Sequence, residues 1–233
     1  MSFPSIRSRA LSNSTSNGSV QVVNLPSIVI VNDILLIVIR VTGAGVIGWP
    51  IGWIEIFDST ADGSNDRMAA AYKFANGSEG GTTINVSSGN GKFVADAIAV
   101  MESNGVTLGT ILVGSNPSQP NAGNCNPGTI QEYLFFTFYG MEGEQTAISS
   151  YPLNYLLNPS GIITTSIAGA PQSNCTMGTV ARQLNAGSED SGIWNISGGI
   201  RDWMAGTIAF HPIVIPPVPP SSFLPSGGSS FPY

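Results

Sequence analysis

The chain has 233 residues, 42% hydrophobic and only 9% charged, with 14 acidic and 8 basic side chains and a net charge of −6. An ordinary soluble domain is roughly 25% charged, so Ser, Thr, Asn and Gly must supply the surface polarity here; the apolar content excludes disorder throughout, and 28 Gly and 16 Pro with so few charges exclude a helical bundle. Six arginines and two lysines scattered over the whole length form no basic stripe, which argues against a nucleic-acid partner.

Taken in chain order, residues 1–20 are rich in Ser, Asn and Thr with a few anchors, Phe3, Ile6, Arg7, Arg9 and Leu11, and read as an extended arm that is disordered in isolation. They hold no apolar run of signal-peptide length, so the expectation is a protein not exported by that route or one whose signal has been removed. A β-sandwich domain is expected over residues 21–211. Its first strand, 33–41, is a continuous apolar run, as expected of a strand buried on both faces, and far short of a membrane span. Further strands are expected at 53–57, 68–75, 82–87 and 92–101, the last with Phe93, Ala95, Ala97 and Ala99 on one face and Val94, Ile98 and Val100 on the other. In the second half the expected strands are 132–139, 155–157, 177–184, 193–197 and 201–210. The alanines of 69–71 and 95–99 suggest close approach of the sheets. Residues 212–233 begin as polyproline II and end as a Ser/Gly-rich tail carrying Phe223, Leu224, Phe231 and Tyr233.

The two halves repeat. Displaced by about 110 residues, AYKFANGSEGGTTINVSSGNGKFVADAIAV lies over ARQLNAGSEDSGIWNISGGIRDWMAGTIAF without a gap, with roughly ten of about thirty positions identical. Gly77-Ser78-Glu79 falls on Gly187-Ser188-Glu189, Asn85 on Asn195 and Ala95 on Ala205; upstream, VNDILLIVIRV pairs with IQEYLFFTFYG and Pro50/Trp53 with Pro152/Tyr155. Repeat halves of about 31–101 and 130–211 therefore predict an all-β, jelly-roll-like sandwich, or a pair of packed half-sandwiches, with extended arms at both ends.

Chemistry finds little support. The one histidine, His211, stands beside a proline at the end of the last expected strand and reads as a surface residue. Glu79 and Glu189 could be imagined as a glycosidase pair, but their equivalent repeat positions favour a shared structural task, such as accepting N–H bonds within a turn. Asp58, Asp62 and Asp66 look like calcium ligands at first glance; the spacing is not that of an EF-hand and the second half has no counterpart, which favours an exposed loop. Cys125 and Cys175, in NCNP and SNCT, read as free thiols, with a loop-to-loop disulfide as the alternative. Two cysteines and one unclustered histidine make no zinc site, no Gly-rich loop opens a helix, and six Asn-x-Ser/Thr sequons are what chance gives at this Asn and Ser content. Trp49, Trp53, Trp194 and Trp203 are expected in core or sheet-edge packing, with a sugar platform as the alternative.

The ordered set NDILL, Pro50-Ile51-Gly52-Trp53, RMAAAYKFANGSEG and TINVSSGNGKFVADAIAV, with ARQLNAGSEDSGIWNIS in the second half, resembles a family of virion structural proteins of tailed bacteriophages over about residues 31–212. The resemblance implies a non-enzymatic structural protein with no cofactor and no membrane association. Its expected place is the outer surface of the capsid, as a decoration or cement protein bound to the major capsid protein, typically as a homotrimer. A tail- or vertex-associated protein that binds a host glycan is the alternative. The expected anchors are Phe3, Arg7 and Arg9 in the N-terminal arm and Phe223, Phe231 and Tyr233 in the C-terminal tail, because rigid aromatics and arginine contribute most at interfaces.

Overall fold

A computed structural model describes residues 2–43, 45–60, 66–115, 119–143, 147–155, 162–163, 175–197 and 202–214. All regular structure in them is β. The first half forms one antiparallel sheet from β1 (Ser5–Asn24), β2 (Ile34–Val41), β3 (Ile54–Thr60), β4 (Arg67–Phe74) and β5 (Thr83–Met101), in the order β1-β5-β2-β4-β3. The second half supplies β6 (Ser103–Leu108), β7 (Leu112–Gly114), β9 (Gln131–Glu142), β11 (Ile162–Ile163), β12 (Cys175–Ala186) and β15 (Trp203–Pro212) to a six-stranded sheet ordered β11-β12-β9-β15-β6, with β7 also on β15. Two short pairs complete the chain: β8 (Asn121–Ala122) with β13 (Gly192–Ile193), and β10 (Ala147–Ser150) with β14 (Asn195–Ser197).

Unbroken apolar runs in β2 and β9 reflect burial on both faces. Inward, Ile34, Leu36 and Val38 meet Leu134, Phe136 and Phe138 across the sandwich, together with Val94, Ile98, Met204 and Ile208. Outward, Leu35, Ile37 and Ile39 sit in a second cluster under Val23, Leu25, Ile47 and Val86, while Tyr133, Phe135 and Tyr139 sit in a third with Trp194, Tyr155 and Ile196. Each aliphatic side chain so buried stabilises by roughly 1.5–3 kcal/mol. Residues 92–101 divide between the faces as expected, but Ala95, Ala97 and Ala99 belong to the outer cluster and not to the gap between the sheets.

The layer that these alanines make room for is a bent ribbon. The two expected strands 82–87 and 92–101 are one strand, β5, and the ladder it forms with β1 is irregular between Ser14, Gly18 and Val20. There the ribbon doubles back, so that the Asn24 N–H donates to the Ser12 hydroxyl (2.8 Å) and Val23 and Val86 cover the outer face. Glycine permits the corner: a Cβ on Gly45 would lie 2.4 Å from the Gly89 backbone. Residues 5–20, expected within an extended arm over 1–20, thus lie in β1 (Ser5–Asn24), an integral strand of the sheet.

The two sheets share their strand order. Ile34 lies between Phe74 and Val100, and Leu134 lies between Gln183 and Phe210. Met68 and Met177, one position off the gapless alignment, both face the inner core. The turn closed by the Trp53 N–H on the Pro50 carbonyl recurs as Tyr155 on Pro152, each at 3.2 Å. Of the expected strand 155–157, Tyr155 lies in that turn and the rest lies outside the described residues.

Gly45→Ala should cost about 1–3 kcal/mol by forcing backbone apart at the corner, whereas Gly105→Ala in β6, with open space around its Cα, should be neutral. Thermal melting followed by circular dichroism checks both; equal melting temperatures would remove the corner from this account.

Candidate functional site

Several charged residues among those described face inward. Arg9 on β1 reaches Asp96 on β5 with Nε at 2.7 Å from Oδ1, and its Nη2 also meets Asp96 and the Thr179 hydroxyl of β12. Thr179 in turn donates to Asp96 at 2.7 Å. Asp96 is buried between the sheets; burial pushes its carboxyl up, opposed by Arg9 and Thr179. Arg7 forks onto Asp33 (2.7 and 3.2 Å), whose carboxylate also accepts the Ile30 N–H. The two arginines expected to grip a neighbour are therefore engaged within their own chain. The reason is steric as well as electrostatic: β1 is paired along its length, so alternate side chains must point at the sheet interior. Phe3 is half-buried beside Pro4, whose carbonyl accepts from Gln183 of β12 (3.0 Å). Phe223, Phe231 and Tyr233 lie outside the described residues.

Other expectations resolve similarly. Asp58 pairs with Arg67 and accepts the Ile47 N–H, and Asp66 pairs with the fully buried Arg40 (2.8 Å), so neither is an open calcium ligand; Asp62 lies outside the described residues. Among the described residues no group of three or more His, Cys, Asp or Glu gathers as a metal would need. Glu79 does the turn work expected of it, accepting the Asn76 and Gly77 N–H groups and pairing with Lys73 (2.7 Å). Glu189 instead accepts from Tyr155 (3.2 Å) and from Arg182 (2.5 Å), whose guanidinium lies over the Tyr155 ring. His211 is half-buried, with Nε2 2.7 Å from the Thr107 hydroxyl and its ring against Tyr133, and burial lowers its pKa. Both cysteines are free and buried, their thiols pushed up to about 11 for Cys125 and about 12 for Cys175 by desolvation. Trp194 and Trp203 are core; Trp49 and Trp53 stack 6.1 Å apart and pack against the outer cluster of the first sheet.

One group of exposed apolar side chains gathers at an end of the sandwich that the sequence reading did not single out. Strand β1 begins opposite Met101, β15 ends opposite Ser103, and only Glu102 separates those two partners, so the first and last described strands meet at one end of the sandwich. The entries to β2 and β9 are at that same end. There Ile28, Ile30, Val31 and Ile130 are 57, 50, 56 and 76% exposed, and Phe74, Ile213 and Val214 are also exposed. A run of branched aliphatics, SIVIV, left in solvent beside a strand was the available signal, and it is visible only once the strand start is known.

A second feature is a half-open cleft of about 670 Å³ on the outer side of the second sheet, lined by Ser150, Tyr151, Asn154, Asp190, Ile193 and Asn195 among others. The Asn195 amide donates to the Ser150 hydroxyl across it at 2.6 Å.

No protein-family model, no curated protein and no solved structure matches this chain.

Arg9→Ala strands the Asp96 carboxylate between the sheets and should destabilise by about 3–5 kcal/mol. The double variant Arg9→Met with Asp96→Leu should be less destabilised than either single change; urea unfolding of the set checks it. Burial acts to raise the Glu79 carboxyl, but Lys73 and the turn N–H groups outweigh it and hold it below 4.5. A carboxyl lowered on folding stabilises above its unfolded pKa and loses that contribution as pH falls through the folded one. Glu79→Gln should therefore lower the melting temperature at pH 7 and have progressively less effect below pH 4.5.

Proposed function

We propose that this chain is a capsid decoration protein of a tailed-bacteriophage particle, which binds the lattice of the major capsid protein from outside, as a homotrimer, with no catalytic role. The family resemblance of the sequence supplies the particle. The observation that carries this reading is the shared end of the sandwich: the first and last described strands meet there, beside exposed Ile28, Ile30, Val31 and Ile130. Apolar patches rimmed by polar residues are where soluble proteins meet partners. A protein that binds only the closed lattice stabilises it by mass action, and three copies held together multiply weak contacts. We read the two sheets, with their common strand order, as copies of one unit packed face to face in preference to a jelly roll, because each half of the chain makes a whole sheet.

The cleft at Ser150, Asn154 and Asn195 favours a second reading, a tail- or vertex-associated protein that binds a host glycan, since hydroxyl and amide groups beside Tyr151 suit a neutral sugar.

Copy number per purified particle, measured by quantitative mass spectrometry against the major capsid protein, separates the two. Decoration predicts hundreds of copies in simple ratio to the capsid protein; a few to a few dozen would move the chain to the tail or vertices and favour the glycan.

A further inference from the structure

The end of the sandwich carries a charge pattern that specifies what can cover it. Three bases stand near it, Arg7, Lys73 and Arg182, and each is held in an ion pair with Asp33, Glu79 or Glu189. Glu102, in the turn between β5 and β6, and Glu132, at the start of β9, form no ion pair among the described residues, and Asp190 is exposed in the turn that follows β12. Glu132 also has a buried carboxylate oxygen with no hydrogen-bond partner. The apolar side chains are therefore set among net negative charge.

We infer that this end docks on a different protein, whose contact surface is apolar and edged with Lys or Arg, and that it is not the contact between copies of this chain. The inference rests on the decoration reading above and specifies the partner's chemistry. Two copies meeting end to end would bring these carboxylates together with no free base among the described residues at this end to answer them, and like charges placed against each other in an interface suppress the pairing. A basic edge answers them. Trimer contacts, if copies associate, then lie elsewhere on the sandwich, which keeps all three ends available to the lattice.

Cysteine labelling in the full-length protein tests this, because the two native thiols are buried and pushed to about 11 and about 12, out of reach of maleimide at pH 7. Ile30→Cys and Ile130→Cys report on the end, and Val46→Cys, exposed beyond the opposite end of β2, is the control. The expected result is rapid labelling of all three in the free protein, at least tenfold protection of Cys at 30 and 130 on particles stripped of the native protein, and none at 46. Binding should also weaken several-fold between 50 and 500 mM NaCl, roughly as expected where paired charges meet across an interface. Protection of 30 and 130 that grows with protein concentration in the absence of particles would make the occupant a second copy, and protection in the dilute free monomer would make it the chain's own C-terminal segment; either overturns the inference. So does bound protein in which position 46 alone is protected. Wild-type protein that fails to bind stripped particles at all overturns the decoration reading itself.

Discussion

Asp96 of β5 lies between the two sheets, and its charge is answered by two elements far from it in sequence, by Arg9 of β1 and by Thr179 of β12. A lone carboxylate buried this deeply would be strongly destabilising, so the position of each of these elements is conditional on the others. Arg9 can reach it only if β1 pairs with β5 in the observed register, and Thr179 only if the second sheet packs squarely on the first. One polar contact thus fixes the register of an edge strand and the alignment of the sandwich, which the surrounding Ile, Val and Leu side chains, being non-directional in their attraction, do not specify.

The same economy holds elsewhere. Cations are few, and among the described residues six form ion pairs: Arg67 to Asp58 between neighbouring strands, and Arg40 to Asp66, Lys73 to Glu79 and Arg182 to Glu189 between a strand and a loop, besides those of β1. Lys73 of β4 and Arg182 of β12 each pair with a glutamate that follows their strand, Glu79 and Glu189. The surface is left with polar neutral groups, acidic groups and a localised set of aliphatics.

How far the residues themselves announce this differs by element. Period and apolarity mark β2, β4 and β9 well, because buried strands leave their signature in every residue, and the alternation of Val94, Ala95, Ile98 and Ala99 predicts both faces of β5. The N-terminal strand is hidden for the opposite reason. Its Ser, Asn and Thr residues carry no hydrophobic period, and it becomes a strand only through pairing with β5, some eighty residues away, and through Arg9. The ribbon corner was hidden as well, since Gly43, Gly45, Gly89 and Gly91 read as separate loops until they touch. At the candidate site, Arg7 and Arg9 are engaged within their own chain, because a charge pattern alone does not say on which side of its strand a guanidinium lies. The aliphatics at 28–31 do not stand out in the sequence because they run straight into a core strand.

The long reach of β1 also bears on how the chain acquires its fold. The first strand to leave the ribosome has no partner until β5 has been made, and its arginine has no complete site until β12 arrives. Antiparallel meanders elsewhere in the chain, such as β2 with β4, close over much shorter loops, and pairings of long sequence separation form slowly. The central strands of the first sheet can therefore assemble before β1 pairs with the edge of β5. Until that moment the outer edge of β5 stands open to any other extended chain, so the interval between synthesis of the first strand and its docking is the period in which this protein is most exposed to mispairing.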